Sequence, residues 1–204
     1  MFDPKSLRLL AITDDLRDGV GGLVDRAGAA VRGGATMVQL RLKNAEPRTL
    51  VEVARALVAA LPVPVIVNDR ADVALAAGAD GVHLGADDVP PSALRPCLPA
   101  DFIVGASVGS DAELTNAIGA DYVGIGPVFA TASKSDAGDA IGVAEFARLT
   151  RLTGLPAVAI GGITAQNVAA LRDAGAAGVA VIRAIFADAD PSAAARALIR
   201  ASET

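Results

Sequence analysis

Three stretches of this chain carry residues whose types and spacing suit chemistry. Residues 63–88, VPVIVNDRADVALAAGADGVHLGADD, read as strand, helix, strand, and each apolar run stops at polar side chains: the first at Asn68, Asp69 and Arg70, the second at Gly85, Ala86, Asp87 and Asp88. Short, continuously apolar runs are what strands look like when both faces are buried, as in a parallel sheet wrapped by helices. Two neighbouring parallel strands put Asp69 and Asp88 at the same end of the sheet, where their carboxylates can share a hard cation such as magnesium.

The second stretch, Gln39-Leu40-Arg41-Leu42-Lys43, projects alternate side chains to one face, so an amide, a guanidinium and an ammonium converge. A further cation, Lys134, lies in residues 127–140, PVFATASKSDAGDA, a segment of small polar residues too long for an ordinary strand-to-helix turn, as functional lids often are. The third is a pair, Gly161-Gly162 and Arg183-Ala184-Ile185-Phe186. Glycines let backbone N–H groups approach a phosphate closely, and the second segment is predicted to form one turn of helix, whose start favours negative charge.

These residues need a scaffold that gathers them. One pattern recurs four times: GATMVQLR from 34, GADGVHLG from 78, GADYVGIG from 119 and GAAGVAVI from 175. Each is a glycine able to close a helix, a small residue, then a strand. Between the copies lie further strand-like runs at Leu9 to Thr13, Val63 to Asn68, Phe102 to Ser107 and Pro156 to Gly161, for a total of eight. Helical faces alternate with them, as in Val20, Leu23, Val24, Ala27, Val31 and in Val53, Ala54, Leu57, Val58, Leu61. Eight strand and helix units in about 200 residues is the lower size limit of a (β/α)8 TIM barrel, and a single barrel domain over residues 1–204 is predicted. A doubly wound sheet would show G-x-G-x-x-G after its first strand, where Thr13-Asp14-Asp15 stand instead.

Strand alternation sharpens the reading. If Gln39 and Arg41 point into the barrel, so do His83 and Gly85, Gly124 and Gly126, Ala180 and Ile182, while Val38, Leu40, Val82, Leu84, Val123, Ile125, Val179 and Val181 pack outward against helices. Barrel active sites lie at the C-terminal strand ends. Those ends hold Asp14 and Asp15; Gln39, Arg41 and Lys43; Asn68, Asp69 and Arg70; Asp87 and Asp88; Ser107; Thr131, Ser133 and Lys134; Gly161 and Gly162; and Arg183. His83, the single histidine, sits below the rim and reads as a satisfied core residue rather than a base. Asp14-Asp15 either cap the first helix or join the site.

Composition bounds the rest. The chain has 204 residues, 52% hydrophobic and only 3% aromatic, so the core is built from Val, Ile, Leu and Ala. A net charge of −5 argues against nucleic acid, which needs a basic face. With no run of ~18 apolar residues, and with neither a basic leader nor a long apolar segment in MFDPKSLRLLAIT, neither membrane spanning nor secretion is expected, and the cytoplasm is the expected compartment. The lone Cys97 has no partner for a disulfide. Oligomeric state is not legible; a homodimer is one candidate.

The motifs AITDD, VQLRLK, NDRADVALAAGADGVHLGADD, GADYVGIGPVFATASK, VAIGGI and GVAVIRAI, in this order, resemble the thiamine phosphate synthase family over nearly the whole chain. The resemblance implies transfer of a hydroxymethylpyrimidine group from its diphosphate to a thiazole phosphate, or its carboxylated form, with release of pyrophosphate and use of Mg2+. Carried over by motif, Arg41, Lys43, Asn68 and Lys134 bind the diphosphate, Asp69 and Asp88 the magnesium, and Gln39 and Ser107 the pyrimidine. Gly162, Ile182 and Arg183 take the thiazole phosphate, and Thr131 and Ser133 line the lid. Arg41, Lys43, Lys134 and Ser107 form the implied catalytic set. The chain departs from the family pattern at Leu42, Ala86, Gly109, Ala130 and Ser133. Two alternatives of the same fold are a thiazole tautomerase, which needs a histidine near Gly109 or Pro127, and a silent phosphate-binding regulator, which need not keep Asp69, Asp88 or Lys134.

Overall fold

In the computed structural model, which describes residues 2–131 and 138–203, eight parallel strands close into a barrel in chain order, the last pairing with the first. The strands are β1 (Leu9–Ile12), β2 (Met37–Leu40), β3 (Val65–Asn68), β4 (Gly81–Leu84), β5 (Ile103–Val108), β6 (Tyr122–Ile125), β7 (Ala157–Ile160) and β8 (Gly178–Val181). The chain is a single-domain (β/α)8 TIM barrel.

The four-fold sequence pattern maps onto the even strands in one register. In every copy the strand occupies the fourth to seventh residue, and the opening glycine, Gly34, Gly78, Gly119 or Gly175, has a positive φ of 111°, 72°, 88° or 91°. An L side chain is disfavoured in that left-handed region, which is why a glycine marks each entry to an even strand.

Helices cover the barrel unevenly. Helices α1 (Gly19–Arg32) and α2 (Pro47–Ala60) are long and lay their predicted apolar faces on the strands, burying Leu23 and Ala27 in one and Val53, Ala54 and Leu57 in the other. Then come α3 (Ala71–Ala77) and α4 (Pro91–Leu94), and after the fifth strand only a 3-10 segment over Asp111–Ala117. The fourth and fifth connections therefore carry only short helical segments. Pro90, Pro91, Pro96 and Pro99 interrupt the first of these, since proline removes a donor and clashes within a helix, and the second has only thirteen residues between strands. Helices α5 (Gly142–Thr153), α6 (Val168–Asp173), α7 (Arg183–Phe186) and α8 (Pro191–Glu203) complete the ring, α8 packing between α1 and α6.

The core has two compartments, as strand alternation requires. Val38, Leu40, Val82, Leu84, Val123, Ile125, Val179 and Val181 lie in the layer between barrel and helices, as predicted, whereas Leu10, Ile12, Met37, Ile66, Ile103, Tyr122, Val158 and Ala180 fill the barrel. None of the helices formed by the described residues is long and apolar enough to cross a membrane.

Candidate functional site

The C-terminal strand ends open into a cavity of about 1000 Å3. Every described residue to which the family resemblance gave a role lines it: Gln39, Arg41, Lys43, Asn68, Asp69, Asp88, Ser107, Thr131, Gly162, Ile182 and Arg183. Ser133 and Lys134 lie outside the described residues. Gly162 thus shares one rim with Asp69, although their strands stand on opposite sides of the barrel.

The acidic corner is built from the ends of β3 and β4. The backbone turns sharply at Asp69, which adopts a left-handed φ of 64° and donates its N–H to the His83 carbonyl at 2.7 Å. Such a conformation is costly for a non-glycine residue, by roughly 1–3 kcal/mol, and is held where the surroundings over-determine it. Asp88 Oδ2 accepts the Gly85 N–H at 2.6 Å. A Cβ added at Gly85 would sit 3.1 Å from Asp88 Oδ2 and 4.0 Å from Asp69 Oδ1, so both carboxylates converge over a position that carries no side chain. Among the described residues no group of three or more His, Cys, Asp or Glu side chains is arranged to hold a metal ion. Two carboxylates suit magnesium, which keeps several waters and completes its six oxygens from substrate phosphates.

Beside this corner, Gln39 is buried at 3% exposure and donates its side-chain amide to Asn68 Oδ1 at 2.7 Å, so the two amides orient each other. Arg41 is set by its backbone, whose N–H donates to the Thr13 hydroxyl at 2.9 Å. Its side chain and that of Lys43 bring positive charge to the cavity wall.

Across the barrel, Gly161 and Gly162 have φ of 97° and 64°. A Cβ at Gly162 would meet the Ala130 carbonyl at 2.6 Å, and one at Gly161 the Pro127 Cβ at 2.6 Å, so both glycines are required by close contact with the loop after β6. That loop is fastened at its base: Val128 and Phe129 donate to the Ile160 and Gly161 carbonyls at 2.8 and 3.1 Å, and Ile141 and Gly142 donate to those of Pro127 and Val128. Val128 and Phe129, expected to be part of a lid running from Pro127, are thus bonded to the end of β7, and residues 132–137 of that segment lie outside the described residues. The segment Arg183–Phe186 forms the predicted helical turn beside the glycine pair.

Three other residues at the strand ends do not join the cavity. Asp14 and Asp15 do not line the cavity; Asp14 pairs with Arg17, and with Arg26 at 3.1 Å, in an ion-pair cluster at the start of α1. Burial alone raises the Asp14 carboxyl, but the Asp15 N–H and hydrogen bonds from both arginines outweigh it and hold the pKa below the ordinary value. Arg70 turns to Asp72 at 2.6 Å and also leaves the cavity. His83 is satisfied as expected, its Nδ1 against the Tyr122 hydroxyl at 3.0 Å and its Nε2 against Ser107 Oγ at 3.1 Å.

Sequence reasoning missed Glu113, which lines the cavity and accepts the Gly109 N–H at 2.8 Å, and the apolar wall of Ile12, Val158 and Ile160. The wall follows from strand parity, but no local signal marks Glu113, whose position depends on the 3-10 turn returning over β5. Gly109 and Pro127 both line the cavity, and with one histidine in the chain no imidazole stands at either place.

Comparison with known proteins gives this geometry its context. The thiamine-phosphate synthase of Azorhizobium caulinodans is 48% identical over 100% of this chain and 99% of its own length, and that of Xanthobacter autotrophicus is 50% identical over 97% and 96%. Among solved structures, the thiamine phosphate pyrophosphorylase of Pyrococcus furiosus superimposes with a TM-score of 0.87 at 37% identity, covering 98% of this chain and 97% of that one. A family model described as thiamine monophosphate synthase matches residues 9–185, and the chain belongs to that family.

Proposed function

We propose that this protein is a thiamine phosphate synthase, joining 4-amino-2-methyl-5-hydroxymethylpyrimidine diphosphate to the thiazole phosphate with release of pyrophosphate. The observation that carries the reading is the meeting of the acidic corner, the Gln39–Asn68 amide pair and the glycine rim in one cavity. It can hold a diphosphate on one side and a phosphate on the other, with an apolar wall between for ring systems.

The reaction asks little acid–base work of the protein. The pyrimidine's amino group stabilises a methylene cation, so the task is to hold the departing pyrophosphate and keep the thiazole nitrogen close. Arg41, Lys43 and Lys134 donate charge-assisted hydrogen bonds to the diphosphate, each contributing roughly 1.5–3 kcal/mol, and they lower the barrier to the extent that they bind the leaving group more tightly as its charge grows. Asn68, oriented by Gln39, adds a neutral donor. Asp69 and Asp88 would hold Mg2+, which, bound there, would neutralise further charge on the diphosphate. Ser107 and Gln39 fix the pyrimidine; Thr131 and Ser133 line the lid. Gly162, Ile182 and Arg183 offer backbone and a guanidinium to the thiazole phosphate. The cytoplasm is the expected compartment.

Incubating the protein with both substrates, with and without Mg2+, and measuring thiamine phosphate and pyrophosphate tests the proposal. Equimolar formation of the two products supports it. No thiamine phosphate with either metal condition would overturn it, and equal rates in a chelator would remove the metal role alone.

A further inference from the structure

The interior of the barrel holds a polar chain that binding of the substrates does not by itself explain. Tyr122, His83 and Ser107 lie on β6, β4 and β5, are hydrogen-bonded in that order, and border the floor of the cavity. We propose that His83 is a positioning residue: Tyr122 holds its imidazole as the Nε2–H tautomer, and this makes the Ser107 hydroxyl a donor toward an acceptor atom of the heteroaromatic substrate. The inference deepens the synthase reading and rests on it for the identity of that substrate.

The direction of the chain follows from counting protons. Tyr122 is 1% exposed, and burial pushes its phenol pKa upward, so the hydroxyl keeps its proton and must donate it. Its hydrogen-bond partner is His83 Nδ1 at 3.0 Å. Accepting there occupies the Nδ1 lone pair and places the ring proton on Nε2, since a neutral imidazole has one donor and one acceptor. Nε2–H then donates to Ser107 Oγ at 3.1 Å. A serine hydroxyl has a single proton, and with its oxygen already accepting, that proton is available to the cavity that Ser107 lines.

The neighbouring strands are shaped around this pair. Gly105 is in register with both His83 and Tyr122, and a Cβ on it would stand 2.4 Å from the Tyr122 hydroxyl and 2.5 Å from His83 Nδ1. One on Gly124, the partner of Ser107 in β6, would stand 3.0 Å from His83 Cε1. Neither glycine has a left-handed φ, so the space they leave, rather than backbone freedom, is what they contribute.

The chain contains one histidine, so imidazole 15N labelling gives one pair of ring-nitrogen signals. In the resting protein, Nε2 is expected as the pyrrole-type and Nδ1 as the pyridine-type nitrogen. Tyr122→Phe should shift the population toward Nδ1–H and lower turnover roughly fivefold, the weight of one ordinary net hydrogen bond, whereas in a Ser107→Ala background the same change should cost nothing further. A wild-type Nδ1–H tautomer or imidazolium would overturn the proposal, as would a Tyr122→Phe loss of equal size with and without Ser107. The wild-type spectrum decides alone should Tyr122→Phe not fold. Because it is read without substrates, it can fail while the condensation assay succeeds, or hold while that assay fails.

Discussion

At the scale of single residues, Asp69 combines a carboxylate with a strained backbone, φ 64°. Asp69→Gly removes both, so the variant should be as stable as the parent or more so by up to ~1 kcal/mol, because glycine adopts this conformation without steric cost. Turnover should nevertheless be lost, while the thiazole phosphate, whose proposed site lies on the far strands, should still bind. Urea denaturation and calorimetric titration with that phosphate measure the two effects, and normal turnover by the folded variant would remove Asp69 from the mechanism. Asp14 makes a different prediction. Its native pKa lies below the ordinary 3.8, so its contribution to stability is fully present above the unfolded pKa and is lost as the pH falls through the native one. Asp14→Asn should therefore lower stability at neutral pH and flatten its decline below about pH 4, with little change in turnover, since Asp14 leaves the cavity. Denaturation across a pH series checks the sign.

At the scale of elements, the loop between β6 and α5 divides at Phe129. The Val128 and Phe129 amides are bonded to carbonyls at the end of β7 and should resist hydrogen exchange with or without the pyrimidine diphosphate. Protection gained on binding should be confined to the residues beyond, Thr131 and 138–140. Equal gains at Val128 would show that the whole loop moves. How legible these elements were depended on how local their causes are. The even strands were visible because each carries its own glycine and apolar run, and inward and outward faces followed from parity alone. The aspartates and Gln39 were visible because strand ends are local and a barrel brings them together. The shortened fourth and fifth connections, the turn of Asp14 toward Arg26 and the return of Glu113 over Gly109 were hidden, because each depends on contacts between segments with no shared period. Tyr122 is an intermediate case: it has the same parity as Gly124 and Gly126, but its role appears only when β4 and β5 are placed beside it.

For the whole molecule, the decisive event is closure, the pairing of β8 with β1 that leaves no sheet edge. The seam is tight at Gly178. A Cβ there would stand 1.8 Å from the Leu7 carbonyl oxygen and 2.8 Å from Arg8 Cα, both backbone atoms that cannot swing aside. Gly178 has no left-handed φ, so an alanine fits its conformation and fails only for space. Gly178→Ala should then cost at least the 1–3 kcal/mol typical of overpacking, and more if β1 must shift, since every other strand pairing is fixed by the same closure. Gly21, inside α1, meets nothing within 4 Å of an added Cβ, so Gly21→Ala should instead stabilise by up to ~1 kcal/mol. Gly175, in the turn between α6 and β8, has φ 91° and open space around it and separates the two causes: Gly175→Ala adds only backbone strain, of roughly 1–2 kcal/mol. Urea unfolding of the three variants should rank them Gly21→Ala above wild type, then Gly175→Ala, then Gly178→Ala. A Gly178→Ala protein as stable as wild type would mean that the barrel does not close tightly at this seam, and the opening of the β7 and β8 ends into the same cavity as the acidic corner would lose its structural basis.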